Sequence, residues 1–546
     1  MSGPVTAAHG MVATSQILAT DVGVELLERG GSAVDAAIGA NAMLSLCEPF
    51  MCGPGGDLFA IVWDPATRKL HGLNASGRSP RAQSLAELKT RLDGDQAIPV
   101  NGVHSITVPG AVRGWAALHQ RFGRLNLGDI FAPVIEYAAA GVKIGPATAA
   151  WWHKSASMAM SAPTRDEFKA NLRKTFLLDG RPPNAGDTVR NPDLGRTYTG
   201  FAERGFDDFY EGDTAARMVA YLAGVDCRLT AEDFAEARVE WVDPITTEYR
   251  GYDVYELPPN GQGLTVLQML NILENFPLAE YGPESADYWH RFIEAKKLAF
   301  EDRARFYGDP EFSAVPIAAL NDKGYAAERA ALITDRALCR PVQGDPILSR
   351  GDTTYLSVAD DAGLMVSLIQ SIFVKFGSGL VPDGMGFALQ SRGSAFSLDA
   401  QHPNAYAPGK RPFHTIIPAF VMHDGEPLMS LGVMGADMQP QGQVQVLVNM
   451  LDFDMDPDTA GQAPRMRHEG LNTPTVTREA DAGRVFYEAA FEPGLIGDMK
   501  SRGHDMSSNG DAVEQFMGGY QCVRRINTGY AGASEPRFDG YARGRD

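Results

Sequence analysis

Apolar positions recur at helical spacing over Gln16–Arg29, and Gly30-Gly31 ends the run because glycine tolerates a left-handed helix cap. Ser32-Ala-Val-Asp35 reads as a capping box for a second helix, Ala33–Ser45. Gly53-Pro-Gly-Gly-Asp57 is a tight loop feeding a strand over Leu58–Trp63. Ser105–Val108 reads as a short strand, closed by Pro109-Gly110 before a helix with Val112, Trp115, Ala116 and His119 at helical spacing. These first 150 residues are α/β in character. Residues 155–195 are more polar, with Pro and Asn breaks, and read as a surface excursion. Leu229 to Asp243 reads as a helix followed by a turn, and Glu248–Leu257 as a strand. A long helix over Ser285–Tyr307 lines up Trp289, Phe292, Ile293, Lys296, Ala299 and Phe300 on one stripe, with charges opposite.

The pattern then changes period. Residues 340–352 form a connector rich in Pro, Gly and charge, and Gly351-Asp352 runs directly into the β-branched and aromatic Thr353–Ala359, a strand. Asp361-Ala-Gly363 and a second strand, Leu364–Ser371, follow. A three-residue hairpin loop wants Gly at its third position, where Gly363 stands. That register puts Thr353 opposite Ser371; a two-residue loop would put Gln370 there instead. A second hairpin joins Thr415–Met422 to Pro427–Leu431 through His423-Asp-Gly-Glu426. Beyond it, Gly432 to Pro440 is a loop of small residues leading to a helix from Gln441 to Leu451, a setting that leaves backbone N–H groups unpaired. No internal repeat or low-complexity tract appears.

The chain has 546 residues, long enough for three or four domains or one large intertwined body. Its 49 basic and 68 acidic side chains give a formal charge of −19, which disfavours nucleic acid and anionic membrane surfaces as partners. The five cysteines, Cys47, Cys52, Cys227, Cys339 and Cys522, form no CxxC pair, so neither a zinc ribbon nor a disulfide framework is expected. No basic-then-apolar leader opens the chain and no apolar run approaches ~18 residues, so the expectation is a cytoplasmic protein without a membrane span.

Thr353 is the residue with the most chemistry available to it. A threonine freed at a chain terminus carries its own catalytic pair, Oγ as nucleophile and α-amine as base. That amine has a pKa near ~7.7–8.0 and accepts a proton at neutral pH. Freeing it requires cutting Asp352–Thr353, for which Oγ can attack the preceding carbonyl. By composition alone, two threonines on an edge strand are plain strand residues. Gly435-Ala436 offers backbone N–H groups to an oxyanion, each such donor being worth about 2.7–4 kcal/mol in a transition state. Gly53–Gly56 lacks the Lys-Ser/Thr of a phosphate loop, and His290 with Glu294, one turn apart, lacks a third metal ligand in the sequence.

Collinear segments change that balance. They are GGSAVDAAIGAN, GPGGDLFAIVWD and SITVPGAVRGW; then LTAEDF, EYRGYDVYELPPNGQGLTVLQMLNILE and EAKKLAFEDRARFYGDP; then GDTTYLSVADDAG, FGSGLV, KRPFHTIIPAF, GVMGAD and ASEPRFDG. Together they resemble the γ-glutamyltranspeptidase family of N-terminal-nucleophile hydrolases. The resemblance implies an α+β fold, a four-layer αββα sandwich. It implies self-cleavage between Asp352 and Thr353 into a large part, 1–352, and a small part, 353–546, intertwined as one structural domain. It gives Thr353 as nucleophile, Ser371 where the family usually has a threonine bonded to it, and Gly435-Ala436 at the oxyanion Gly-Gly pair. No metal or organic cofactor is implied. The partners are a small amide substrate and the fragments themselves, with a homodimer left open.

Departures from the family pattern concern the substrate. The acidic residue that holds an α-amine in typical members is absent from Gln390-Ser-Arg-Gly-Ser-Ala395-Phe396, where Arg392 brings the opposite charge. His414-Thr415 replaces paired serines, Phe373 stands where an asparagine is common, and Ser76 fills an arginine slot with Arg78 two residues on. A buried ammonium without a counter-charge is costly. The expectation is an acyl group with a carboxylate and no amine, of oxamate or glutaryl type, with Arg78 and Arg392 as its partners. The alternatives are a true γ-glutamyl hydrolase or transpeptidase, and a binding protein of this fold that never matures.

Overall fold

The computed structural model describes residues 3–162, 166–338, 351–470, 474, 482–508 and 517–546. Two seven-stranded sheets organise it. One runs, in spatial order, Val5–Ala7, Gly529–Ser534, Gly519–Ile526, Glu426–Met434, Ala419–His423, Tyr252–Glu256 and Ile245–Tyr249. The other runs Tyr541–Gly544, Gly10–Thr14, Gly351–Asp360, Met365–Val374, Asp57–Asp64, Lys69–Ala75 and Glu240–Val242. Each sheet takes strands from both sides of the Asp352–Thr353 bond.

The second sheet carries the helices Ile17–Glu28, Ala33–Cys47 and Ala111–Phe122 on its outer face, and the first carries Gly263–Leu273, Ala286–Phe306 and Met438–Leu451. The sheets meet across Gly351–Asp360 and Glu426–Met434, completing four layers of αββα. Ser357 Oγ donates to the Ser430 carbonyl at 3.2 Å across that seam. Gly432 is needed there, because a Cβ would lie 2.4 Å from Tyr355 Cδ2.

Local signals account for most elements. The capping box of Ser32 and Asp35 forms and starts the helix Ala33–Cys47. Ser285 caps Ala286–Phe306 through the Tyr288 N–H. Gly363, at φ 85°, closes the three-residue hairpin, with Asp360 N–H donating to the Leu364 carbonyl at 3.1 Å. Asp424-Gly425, both at positive φ, turns the second hairpin.

Four sequence expectations are corrected. Ser105–Val108 is no strand: Val103–Ser105 forms a 3-10 turn, and the Val108 N–H donates to the Arg78 carbonyl. Glu248–Leu257 is a hairpin of Ile245–Tyr249 and Tyr252–Glu256, because Arg250-Gly251 takes positive φ and turns the chain. Leu229 to Asp243 yields only a short helix, Ala231–Ala235, capped by Thr230, then a strand, Glu240–Val242, paired with Lys69–Ala75. Within 155–195 the helices Pro146–Ser161 and Asp166–Phe176 pack inward, with Phe176 against Phe376 at 4.9 Å between ring centroids. The connector 340–350 and Cys339 lie outside the described residues, whereas Cys47, Cys52, Cys227 and Cys522 are buried free thiols. No helix among the described residues is long and apolar enough to cross a membrane.

Candidate active site

Thr353 is fully buried on the strand Gly351–Asp360, which continues unbroken through Asp352. The expected register holds from Ala359↔Met365 back to Thr354↔Gln370, and then shifts, with Asp352 opposite Phe373. Thr353 therefore faces two residues, Ser371 and Ile372, across a bulge. Bulges bend a strand and re-aim its side chains, and they recur beside active sites. Phe373, at φ 76°, absorbs the distortion, and the Ser371 Oγ accepts from its N–H at 2.8 Å. The Gly53–Gly56 loop passes so close that a Cβ on Gly56 would lie 2.5 Å from the Ser371 carbonyl oxygen.

Gln439 reaches the Thr353 hydroxyl, its Nε2 donating to Oγ at 3.0 Å. It stands on the helix Met438–Leu451, directly after Gly435-Ala436. Ala436 holds φ 49°, a left-handed geometry that costs a non-glycine residue about 1 kcal/mol. No N–H of Gly435 or Ala436 donates to another described residue. Gln262 Nε2 clamps the loop from behind, donating to the Ala436 carbonyl at 2.9 Å and to the Thr415 carbonyl at 2.7 Å. Behind it lies a buried ion pair, Arg303 to Asp437 at 2.6 Å, with Arg303 also on Gln262 Oε1.

The extended segment His414–Ile417 links this end of the site to the other. Ile417 N–H donates to Gln439 Oε1, Thr415 Oγ1 accepts from Arg392 NH1 at 2.8 Å, and His414 Nε2 stands 3.1 Å from Asp57 Oδ2. Because Ile416 N–H donates to His414 Nδ1, the proton of a neutral His414 sits on Nε2 and points at Asp57. Arg392 is fully buried. Its NH2 donates to Ser371 Oγ at 3.3 Å, its guanidinium carbon lies 4.0 Å over the Phe373 ring, and its Nε–H has no partner among the described residues. Asp57 also takes the N–H groups of Gly77 and Gly110 on Oδ1, at 2.9 and 3.1 Å.

Burial dominates the electrostatics. It pushes the Asp57 carboxyl up to about 7, against the opposing pull of Arg392 and the two backbone amides. It draws Arg392 down to about 9, with Asp57 opposing. Burial and then the Arg392 charge hold His414 well below the ordinary imidazole range.

The structure thus brings Thr353, Ser371, Arg392, His414 and Thr415 into one connected cluster beside Gly435-Ala436. Arg78 stands apart from Arg392. Its guanidinium is held by Glu311 at 2.7 Å and Glu240 at 3.1 Å, and it lines a shallow cleft with Arg81, Arg113 and Asp233. Ser76, in the arginine slot, joins a hydrogen-bonded set with Asn74 and Asn260. Only the backbone of Asp352 is described. His290 and Glu294 do gain a third neighbour, His504, from the other side of the Asp352–Thr353 bond. His290 and His504 bond to each other at 2.8 Å, and the Lys297 ammonium occupies the Glu294 carboxylate at 2.8 Å, so the cation of this cluster is a lysine.

Gln439, Gln262 and Asp57 are the site residues that sequence reasoning missed. Asp57 closes the Gly-rich loop and Gln262 lies in the PPNGQG segment, so both sat inside motifs read for their glycines. Gln439 carried no signal of its own.

The gamma-glutamyltranspeptidase family model matches residues 19–544. The glutathione hydrolase-like YwrD proenzyme of Bacillus subtilis (strain 168) is 36% identical over 546 residues, covering 100% of each chain. The oxamate amidohydrolase proenzyme of Klebsiella pneumoniae subsp. pneumoniae is 33% identical over 543 residues, covering 98% of each. Among solved structures, the cephalosporin acylase from Bacillus halodurans superposes with a TM-score of 0.91 at 39% identity, covering 100% of this chain and 97% of that one.

Proposed function

The chain belongs to the γ-glutamyltranspeptidase family of amide-bond hydrolases and transferases, and on that footing we propose that it is a self-processing amidohydrolase for small acyl groups bearing a carboxylate and no α-amine. In maturation, Thr353 Oγ attacks the Asp352 carbonyl carbon and the C–N bond breaks. This leaves an Asp352 ester on Oγ and a free α-amine on Thr353. Water then hydrolyses the ester, giving the Asp352 carboxylate and restoring the hydroxyl. The bulge at Thr353 and the close approach of Gln439 support this reading.

In turnover, the Thr353 amine takes the Oγ proton as Oγ attacks the substrate carbonyl. The N–H groups of Gly435 and Ala436 receive the oxyanion. The ammonium returns its proton to the leaving amine, and water or an acceptor amine releases the acyl group. Ser371 and Thr415 steady Arg392, which binds the acyl carboxylate. The observation that carries the choice of substrate is the buried Arg392, with an unpartnered Nε–H beside Ser371 on the strand facing Thr353. A donor left unpaired in a dry site favours a ligand that satisfies it. The same cation repels the α-ammonium of a γ-glutamyl group. The relative named as an oxamate amidohydrolase agrees with an acyl group of this kind.

Glutaryl, oxalyl and γ-glutamyl amides compared at equal concentration test the substrate class. The expected order puts the carboxylated acyl groups without an amine first, and a clear preference for the γ-glutamyl compound overturns it. Thr353→Ala should stay a single band of 58.9 kDa and lose turnover; if it splits, the nucleophile is another residue.

A further inference from the structure

Gln439 is buried and touches three parts of the site at once. Its Nε2 donates to Thr353 Oγ at 3.0 Å, its Oε1 accepts from Ile417 N–H at 3.1 Å, and its own N–H donates to the Ala436 carbonyl at 3.1 Å. The orientation of the amide is forced. Ile417 N–H is a donor only, so it selects the oxygen of the side chain and turns the NH2 group toward Thr353. Threonine in turn is a side chain whose hydroxyl and methyl exchange places by one rotation about χ1. A fixed donor beside it favours the rotamer that presents oxygen, since the methyl would leave a buried N–H unpaired. The bond occupies one lone pair of Oγ and leaves the hydroxyl proton free to pass to a base.

We propose that Gln439 is a catalytic residue, a neutral donor that holds Thr353 Oγ in its attacking rotamer both in the Asp352–Thr353 cut and in every turnover. It transfers no proton. Through its own backbone it also ties the nucleophile to the Gly435-Ala436 loop, so attacking atom and oxyanion donors are set by one helix start. This rests on the reading of Thr353 as nucleophile.

Four full-length proteins test it: wild type, Thr353→Ala, Gln439→Leu and Gln439→Glu. Cleavage is followed by intact mass. The kcat and KM on a carboxylated anilide are measured on fully cut wild type and Gln439 variants, and thermal midpoints check folding. Misplacing a reacting group by about 1 Å can cost 10²-fold, so Gln439→Leu should slow both cleavage and kcat by about 10²-fold, with KM within about twofold. Gln439→Glu keeps the acceptor for Ile417 but cannot donate to Oγ while ionised. Its kcat relative to wild type at the same pH should recover as pH falls and the carboxyl gains a proton, a signature that Gln439→Leu lacks. If Gln439→Leu is poorly folded, Gln439→Glu decides alone. Wild-type cleavage and kcat in Gln439→Glu across the pH range overturn the proposal. Splitting of Thr353→Ala overturns the nucleophile assignment instead, whatever Gln439 does.

Discussion

Around Thr353 the hydrogen-bonding groups are neutral: the Gln439 amide on Oγ, the Ile417 backbone that orients that amide, and the Gln262 amide behind the Gly435-Ala436 loop. Around Arg392, less than one strand away, they are ionisable: Asp57, His414 and the guanidinium itself. Charge does stand near the Thr353 end, as Arg303–Asp437, but it acts through Gln262 and the helix start. The division has a physical logic. Neutral amides keep one geometry at every pH, which suits an atom that must attack along a fixed line. Ionisable groups discriminate by charge, which suits the recognition of an anionic acyl group.

Arg392→Met should strike the charged end hardest. Losing a buried, hydrogen-bonded cation costs about 3–4 kcal/mol, roughly 10²–10³-fold in kcat/KM for a carboxylated acyl group. An uncharged acyl group of the same length should lose far less. Kinetics on the matched pair of anilides check this, and equal losses would mean that Arg392 serves the fold rather than the substrate.

Asp57→Asn sharpens the contrast through pH. The folded Asp57 carboxyl sits near 7 against an ordinary 3.8, so between those values the folded state holds the extra proton. Its contribution to stability therefore falls as pH rises from about 4 to about 7. His414 runs the other way. Its folded pKa lies below the ordinary 6.5, so its contribution grows as pH rises toward 6.5. Removing Asp57 leaves the His414 slope alone. The stability of Asp57→Asn relative to wild type should climb by about 3 kcal/mol between pH 4.5 and 7.5, read from urea midpoints.

Ala436→Gly probes the neutral end and should give the smallest effect. It releases the left-handed strain at φ 49° and should raise the unfolding free energy by about 1 kcal/mol, with no change in pH dependence.

The sequence made one half of this site readable and hid the other. The hairpin carrying Thr353 and Ser371 was legible because alternation and Gly363 set its register, and Gly435-Ala436 because small residues precede a helix. The helix Ala33–Cys47 announced itself through Ser32 and Asp35. The bulge at Thr353 carried no local mark, since it arises where the strand meets Asp57–Asp64 and the Gly56 loop. Gln439 lies 86 positions from the hydroxyl it holds, and His504 lies 214 from His290. Contacts of that span belong to the tertiary structure, and a glutamine or a lone histidine gives no pattern from which to guess them. Arg392 was visible as a charge of the wrong sign for the family, but its counterpart Asp57 was concealed among glycines. Arg78, equally visible, is taken up by Glu240 and Glu311.

Both β-sheets interleave strands from before and after Asp352–Thr353, with Gly10–Thr14 against Gly351–Asp360 and Val5–Ala7 against Gly529–Ser534. Severing that bond would thus leave two polypeptides knitted like laced fingers, neither owning a complete sheet. Products of a gene split at that codon would have to fold around each other from the start, because neither could wait for its mate as a finished piece.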